Sequence, residues 1–224
     1  MENIIVSEVD NEVVTITLNR PAKKNALSTA LRDEVSDTLN KLSGNDNVKV
    51  VIITGAGDVF SAGFDLKEFE KGVKDKDFND MLWSSSDRFH HTILFFPLPI
   101  IAAVNGLAIA GGFDLAAMCD IRVCTENAVF SHPEIAFSEV LYSPLHELLG
   151  GALARELCLT GREVTAEEAK QIKLVTSVIP QNSLEEEVKK ITAQITRASR
   201  DNLIKTKSKI IKRANITGRL TLEL

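Results

Sequence analysis

Residues 99–114, which read Pro-Ile-Ile-Ala-Ala-Val-Asn-Gly-Leu-Ala-Ile-Ala-Gly-Gly-Phe-Asp, constrain the fold more than any other stretch of the chain. The apolar run over 100–104 has the length and bulk of a buried strand. Asn105-Gly106 stops it with a turn signal. Ala110-Gly111-Gly112 then leads into a helical segment over 113–118. Small residues let another group come close to the main chain. The first N–H groups of a helix lack partners within it and carry partial positive charge. The stretch therefore has two readings. It is a tight strand-to-helix connection with glycines for packing, or a turn that presents a backbone N–H to a developing oxyanion, with the Asp114 carboxylate beside it.

The flanking chain alternates strands and helices. Short β runs over 4–9 and 13–18 surround the hairpin pair Asp10-Asn11. Ser28 is placed to cap a helix carrying Leu31, Val35, Leu39 and Leu42 on one face, with Gly44 past its end. The run over 48–54 is almost entirely apolar and β-branched, which suits a strand covered on both sides. A Gly-rich turn (Gly55-Ala56-Gly57), a second one (Ser61-Ala62-Gly63-Phe64-Asp65) and a helix over about 77–96 precede the central strand. After it come strands over 120–124 and 128–130, a Ser131-His132-Pro133-Glu134 loop, and a helix over 145–159 interrupted at Gly150-Gly151. Thr165 and Ser183 both head capping-box patterns, with a short strand over 174–178 between their helices. A basic helix runs from Ser199 to Lys212, and a weak helical signal covers 217–224. The pattern predicts an α/β fold, with a core over 1–180 and a helical C-terminal region over 181–224.

Composition narrows the function classes. A hydrophobic content of 44% and a charged content of 25% belong to an ordinary globular domain. A net charge of −5 with interspersed signs argues against nucleic-acid binding. The longest apolar stretch, over 93–104, is broken by Pro97 and Pro99 and is too short to span a bilayer, so no membrane partner is expected. Three cysteines without metal-type spacing, in a chain whose start carries no basic-then-apolar leader, point to reduced thiols and a cytoplasmic home. His90, His91 and His146 read as surface or packing histidines, and no metal site is expected.

Two Gly-containing turns at the ends of two buried strands can supply two N–H donors to one oxygen. That constellation resembles the crotonase (enoyl-CoA hydratase/isomerase) superfamily. The resemblance is carried by Leu18-Asn19-Arg20-Pro21 with Asn25-Ala26-Leu27, by 51–57 with Phe60-Ser61-Ala62-Gly63-Phe64-Asp65-Leu66, and by 101–106. It continues through Gly111-Gly112-Phe113-Asp114-Leu115-Ala116, Cys119-Asp120-Ile121-Arg122, Pro133-Glu134 and Leu159-Thr160-Gly161-Arg162. It spans nearly the whole chain, from Ile4 to Lys212.

The resemblance implies a crotonase-like spiral of β-β-α units with a helical trimerisation region, forming a homotrimer or a dimer of trimers. It implies an acyl-CoA thioester substrate and no cofactor beyond the CoA that the substrate carries. The N–H groups of Phe64 and Gly111 would form the oxyanion hole for a thioester enolate, each such donor being worth about 3 kcal/mol in the transition state. CoA would lie along Lys24, Ala26, Ala62, Asp65, Leu66 and Lys67. Judged from composition alone, Lys24 and Lys67 are equally well read as solvated surface charges. Asp114 and Glu134, twenty residues apart, match the family's two acid/base carboxylates. Glu134 would deliver the proton to the α-carbon while both hold a water. On its own sequence context, Asp114 reads first as an N-terminal helix carboxylate, and it is the resemblance that favours catalysis.

Two departures bear on the reaction. The family usually has Glu where this chain has Asp114, and the missing methylene draws the carboxylate back by roughly 1.5 Å. A misplacement of about 1 Å can cost on the order of 100-fold in rate. The segment over 139–147 is also shorter than the family's pattern, which brings Tyr142 and Glu139 into consideration as acyl-pocket residues, although Tyr142 on its own context reads more readily as a core or rim tyrosine. Hydration of a 2-enoyl-CoA is the expected reaction. Double-bond isomerisation by Glu134 alone, another crotonase-type lyase or hydrolase reaction, and a non-catalytic acyl-CoA-binding module are the alternatives.

Overall fold

The structure, a computed structural model, describes residues 4–216 and 220–224. Its organising feature is that successive turns of chain each place one strand in a large sheet and one in a small sheet. In the large sheet, β1 (Ile5–Asp10) pairs antiparallel with β2 (Val13–Leu18), across a turn in which Asn11 takes φ +54°. β2 then pairs in parallel with β3 (Val50–Gly55), β3 with β5 (Ile100–Val104), and β5 with β7 (Ile121–Thr125). The sixth strand, β10 (Ser177–Ile179), closes that sheet beside β7. The small sheet takes the strand that follows each turn: β4 (Val59–Ser61), β6 (Leu107–Ile109) and β8 (Val129–Ser131), with β9 (Val164–Thr165) at its edge.

Helices cover both faces. α1 (Thr29–Ser43) starts where the Ser28 hydroxyl accepts from the Leu31 N–H, and it buries Leu31, Val35 and Leu39. α2 (Leu66–Gly72) and α3 (Lys76–Leu94) follow the small-sheet strand β4, each capped by an aspartate, Asp65 and Asp75. α4 (Gly111–Met118) begins two residues earlier than the sequence suggests. α5 (Ser143–Leu149) and α6 (Gly151–Thr160) are split at Gly150, whose φ of +74° breaks the helix as expected. α7 (Ala166–Gln171), α8 (Leu184–Ile195) and α9 (Arg200–Ala214) complete the chain. The main core fills the space between sheets and helices. A second, smaller cluster forms where Leu184 and Val188 of α8 cover Val50, Ile52, Ile101 and Val123 on the outer face of the large sheet.

Several local expectations are corrected. The strand expected over 174–178 lies over 177–179, because Leu174 and Val175 are drawn into the core ahead of it. Ser183 does not cap α8. It ends a 3-10 turn (Gln181–Ser183) with φ −108° and ψ 0°, a conformation that keeps its hydroxyl from the free N–H groups. Thr165 does cap α7, but Glu168 turns to Arg162 instead of closing the box. α2 and the short strands β4, β6 and β9 are absent from the sequence reading. Part of the weak helical signal, over 217–219, lies outside the described residues, and Thr221–Glu223 form a 3-10 turn.

Motif residues that look chemical prove to be scaffolding. The buried Asn25 side chain donates to the Ala56 and Val59 carbonyls at 2.9 and 2.7 Å and accepts from the Arg20 N–H. Asn105 donates to the carbonyls of Gly55 and Gly57, both at 2.9 Å. Arg122 is buried beneath the C-terminus of α4 and donates to the carbonyls of Ala116, Cys119 and Leu174. A cation at a helix C-terminus offsets the helix dipole. Arg122 thus fixes the helix whose other end carries Gly111 and Asp114.

Candidate active site

The two Gly turns lie against each other. Gly63 has φ +82°, and a Cβ placed on it would meet Ala110 Cβ at 2.8 Å and the Gly111 nitrogen at 3.0 Å. A Cβ on Gly111 would press the Phe64 ring at 3.0 Å. Ala110, between the small sheet and α4, adopts φ +53° and ψ −130°, where an L residue with a side chain is strained. Strain of this kind persists only where the surroundings enforce it. Here its N–H donates to the Ser131 carbonyl at 2.8 Å and its carbonyl accepts from Phe113 and Asp114. Gly111 is the first residue of α4, and its N–H is one of those that a helix leaves unpaired. Among the described residues, neither the Phe64 nor the Gly111 N–H donates to a backbone carbonyl outside the regular elements.

Beneath Phe64 sits a feature the sequence reading missed. Arg32 is completely buried, its guanidinium 4.4 Å from the centre of the Phe64 ring. It donates to the carbonyls of Leu27 and Leu82 at 2.7 and 2.9 Å and to the hydroxyls of Thr29 and Ser85. Among the described residues no carboxylate forms an ion pair with it, and burial lowers its pKa to about 10. The signal was present: a cation at position 32 on the apolar stripe of α1.

On the other side of Gly111, α4 meets the loop after β8. Asp114 and His132 are both buried, and Asp114 Oδ1 lies 2.9 Å from His132 Nε2. Phe113, the neighbour of Asp114 on α4, stacks on the same imidazole at 4.7 Å between ring centres. Burial disfavours charge on His132, but the charge and hydrogen bond of Asp114 outweigh it and raise its pKa to about 10. Glu134 is next. Burial, opposed by His132 and reinforced by Asp114, raises its pKa to about 7, and its Oε2 is buried without a hydrogen-bond partner. Gly161, at φ +63°, makes room for this turn, since a Cβ there would strike the His132 carbonyl at 2.5 Å. One donor atom each from Asp114, His132 and Glu134 lie within 4.8 Å of one another. A cluster of that size has the donor set for a cation, and the same buried acid and base groups, one nitrogen of His132 already engaged with Asp114, also suit proton handling.

His132 was not singled out from sequence. The other histidines fall as read: His91 and His146 are exposed, and His90 is buried packing. His90 is held by Thr221 Oγ1 at 2.9 Å from its Nδ1, and burial lowers its pKa to about 4. Its Nε2 has no partner among the described residues.

The remaining candidates divide. The loop carrying Lys24 and Ala26 runs along the first Gly turn, with Ala62 N donating to Lys24 O at 2.9 Å and Leu27 N to Gly63 O at 2.8 Å. Lys24, Leu66 and Lys67 are exposed. The Asp65 side chain is committed elsewhere, capping α2 through Lys67 N and pairing with Arg20 at 3.0 Å. Tyr142 is engaged away from the carboxylates. It begins α5, its N–H donating to the Leu224 carbonyl and its ring 5.3 Å from that of His146. Glu139 is exposed.

All three cysteines are free and buried. Among the described residues no helix is long and apolar enough to cross a membrane.

Comparison with known proteins bears on the family and the fold. The family described as enoyl-CoA hydratase/isomerase matches residues 8–223. A probable mitochondrial enoyl-CoA hydratase of Dictyostelium discoideum is 36% identical over 221 residues, covering 97% of this chain and 77% of the relative. The 2,3-dehydroadipyl-CoA hydratase of Escherichia coli is 34% identical over 203 residues, covering 89% and 78%. The crystal structure of an enoyl-CoA hydratase from Bacillus anthracis superposes with a TM-score of 0.86 at 34% identity, covering 93% of this chain and 82% of that one. With a spiral of two sheets, paired Gly turns and a profile match over almost its full length, the chain belongs to the enoyl-CoA hydratase/isomerase family and is an enzyme of that family.

Proposed function

We propose that the protein binds an acyl-CoA thioester with its carbonyl oxygen between the N–H groups of Phe64 and Gly111, and hydrates a 2-enoyl-CoA. The supporting observation is a juxtaposition. The Gly63 and Gly111 turns touch, and the helix that starts at Gly111 carries Asp114 to within reach of Glu134. Two amides aimed at one oxygen stabilise the enolate that forms when the β-carbon is attacked. Glu134, near half-ionised at neutral pH, takes a proton from water and returns one to the α-carbon. Asp114 Oδ1 is bound to His132, so the second oxygen, Oδ2, is the one left to orient the water. CoA lies along Lys24, Ala26, Ala62, Leu66 and Lys67, with Asp65 contributing main chain only. CoA arrives with the substrate, and no other cofactor takes part. We further propose a homotrimer or dimer of trimers acting in a reducing, cytoplasmic setting.

One observation favours a second reading. Asp114 is engaged by His132, and isomerisation of a 3-enoyl-CoA needs only a single carboxylate. Product analysis with 2-enoyl and 3-enoyl thioesters separates the two. Hydration predicts that Asp114→Asn and Glu134→Gln both abolish water addition. Isomerisation predicts that Asp114→Asn leaves double-bond migration intact while Glu134→Gln removes it. Turnover unchanged in both variants contradicts both readings, and CoA-thioester binding without turnover by the unaltered protein returns the chain to a binding module.

A further inference from the structure

Asp114 and His132 form a buried acid–base pair whose place beside Glu134 is not required by an oxyanion hole. His132 is gripped from three directions. Nε2 meets Asp114 at 2.9 Å, the ring stacks on Phe113, and its carbonyl backs onto Gly161, where no side chain fits. Phe113 and Asp114 are consecutive residues of one helix, so α4 holds the ring by its face and by its edge. Nothing else among the described residues satisfies Nδ1, although the Cys158 thiol of α6 adds a weak contact that favours the charged ring. A ring this confined has little freedom to serve as a mobile proton shuttle.

We propose that His132 is a positioning residue that fixes the Asp114 carboxylate and offsets its negative charge beside Glu134. The inference rests on the assignment of Glu134 as the proton-moving group. The physical logic is one of charge balance. A lone buried Asp114 carboxylate within this cluster would oppose ionisation of Glu134. Paired with an imidazolium it forms a dipole with no net charge, and Glu134 is left able to ionise at neutral pH. The shorter side chain at position 114 fits this arrangement, because it places the carboxylate at hydrogen-bond distance from His132.

The groups that act on Glu134 are few. Asp114 reaches it from α4, and His132 precedes it in the same loop. Cys158 of α6 contacts His132, and His90 of α3 is acted on by the charges of Asp114, Arg32 of α1 and Asp87. Of these, His132 and Asp114 carry the charges that matter to Glu134.

The test follows protonation in the free protein, independent of turnover. With glutamate 13C-labelled at the side-chain carboxyl, the Glu134 signal is assigned by its loss in Glu134→Gln and followed against pH. The unaltered protein should titrate near pH 7, and His132 should show the 15N shifts of a charged ring at pH 8. In His132→Gln, which keeps a donor for Asp114 but no charge, the Glu134 transition should move upward by about one unit or more. In the double variant Asp114→Asn/His132→Gln, which removes both charges, it should return toward the starting value. Far-UV circular dichroism and melting temperature verify that each variant is folded, and the His132 15N measurement needs no variant. A neutral His132 at pH 8 overturns the proposal, as does an unmoved Glu134 transition in His132→Gln. Exchange of the α-protons of butyryl-CoA in D2O is then measured on the same samples. Titrations as described with no exchange by the unaltered protein leave the charge pair standing and reject the assignment of Glu134 to substrate chemistry.

Discussion

At the scale of single residues, chemistry concentrates in Glu134 and in the buried charges around it. Replacing Glu134 with Gln removes the group that moves the proton, and turnover should fall by about 10²–10⁴-fold with the fold intact. Steady-state rates beside a thermal melt check this. The pH dependence has a definite sign. Removing an α-proton needs ionised Glu134, so that partial reaction should speed up as pH rises through about 7. Exchange rates between pH 5.5 and 8.5 report the limb. Arg32 is a different case. Exchanging it for Met keeps the bulk but takes the charged donor from the Leu27 carbonyl and the second donor from the Leu82 carbonyl inside α3. An unsatisfied buried acceptor costs about 1–3 kcal/mol. Denaturant unfolding of Arg32→Met should show a loss of that order, together with weaker thioester binding as Phe64 loses the cation beneath its ring. Sequence alone placed Asp114 and Glu134 as a pair, through the resemblance. It could not place His132, eighteen residues from Asp114, because only the path from α4 through β7 and β8 brings the two together.

At the scale of elements, turns matter more than helices or strands. Gly63 occupies a conformation unfavourable to side chains, with neighbours on the second Gly turn at 2.8–3.0 Å from where a Cβ would stand. Gly63→Ala should push the Phe64 and Gly111 amides apart and raise KM while lowering kcat. Gly44→Ala, at the end of α1, has only the Lys41 carbonyl at 3.9 Å and should leave both constants unchanged. Kinetics of the two variants side by side make the comparison. Long, strongly patterned elements such as α1, α3, β3 and β5 were legible from periodicity. α2, β4, β6 and β9 were not. The first depends on Asp65 acting as a cap, and the other three are pieces of two or three residues whose strand character comes from partners far along the chain. Ser183 shows the reverse failure, a capping pattern overridden by the 3-10 turn that follows Pro180.

At the scale of the whole molecule, the last described segment latches onto the site's back wall. Thr221 Oγ1 meets His90 Nδ1 and Ser86 Oγ, both at 2.9 Å, and its N–H donates to Asp87 at 2.7 Å. The Leu224 carbonyl accepts from Tyr142 and Ser143 at the start of α5. Together these tie α3 and α5 to one short stretch of chain and seal His90 from solvent. Thr221→Val removes both contacts and leaves Ser86 and His90 their mutual hydrogen bond at 3.3 Å, at a cost of about 1 kcal/mol. Hydrogen exchange should then quicken in α3 and in residues 220–224 ahead of the rest. Tyr142, expected from sequence near the acyl group, belongs to this latch by its main chain, a role that no motif could reveal because its partner lies more than eighty residues away. In the mechanism proposed above, two backbone amides and one carboxylate surround a single thioester. A crystal structure with a saturated acyl-CoA bound tests it most directly. The thioester oxygen should lie within hydrogen-bond distance of both Phe64 N and Gly111 N, with the α-carbon facing Glu134. A thioester bound away from either amide, or an α-carbon turned from Glu134, would contradict it.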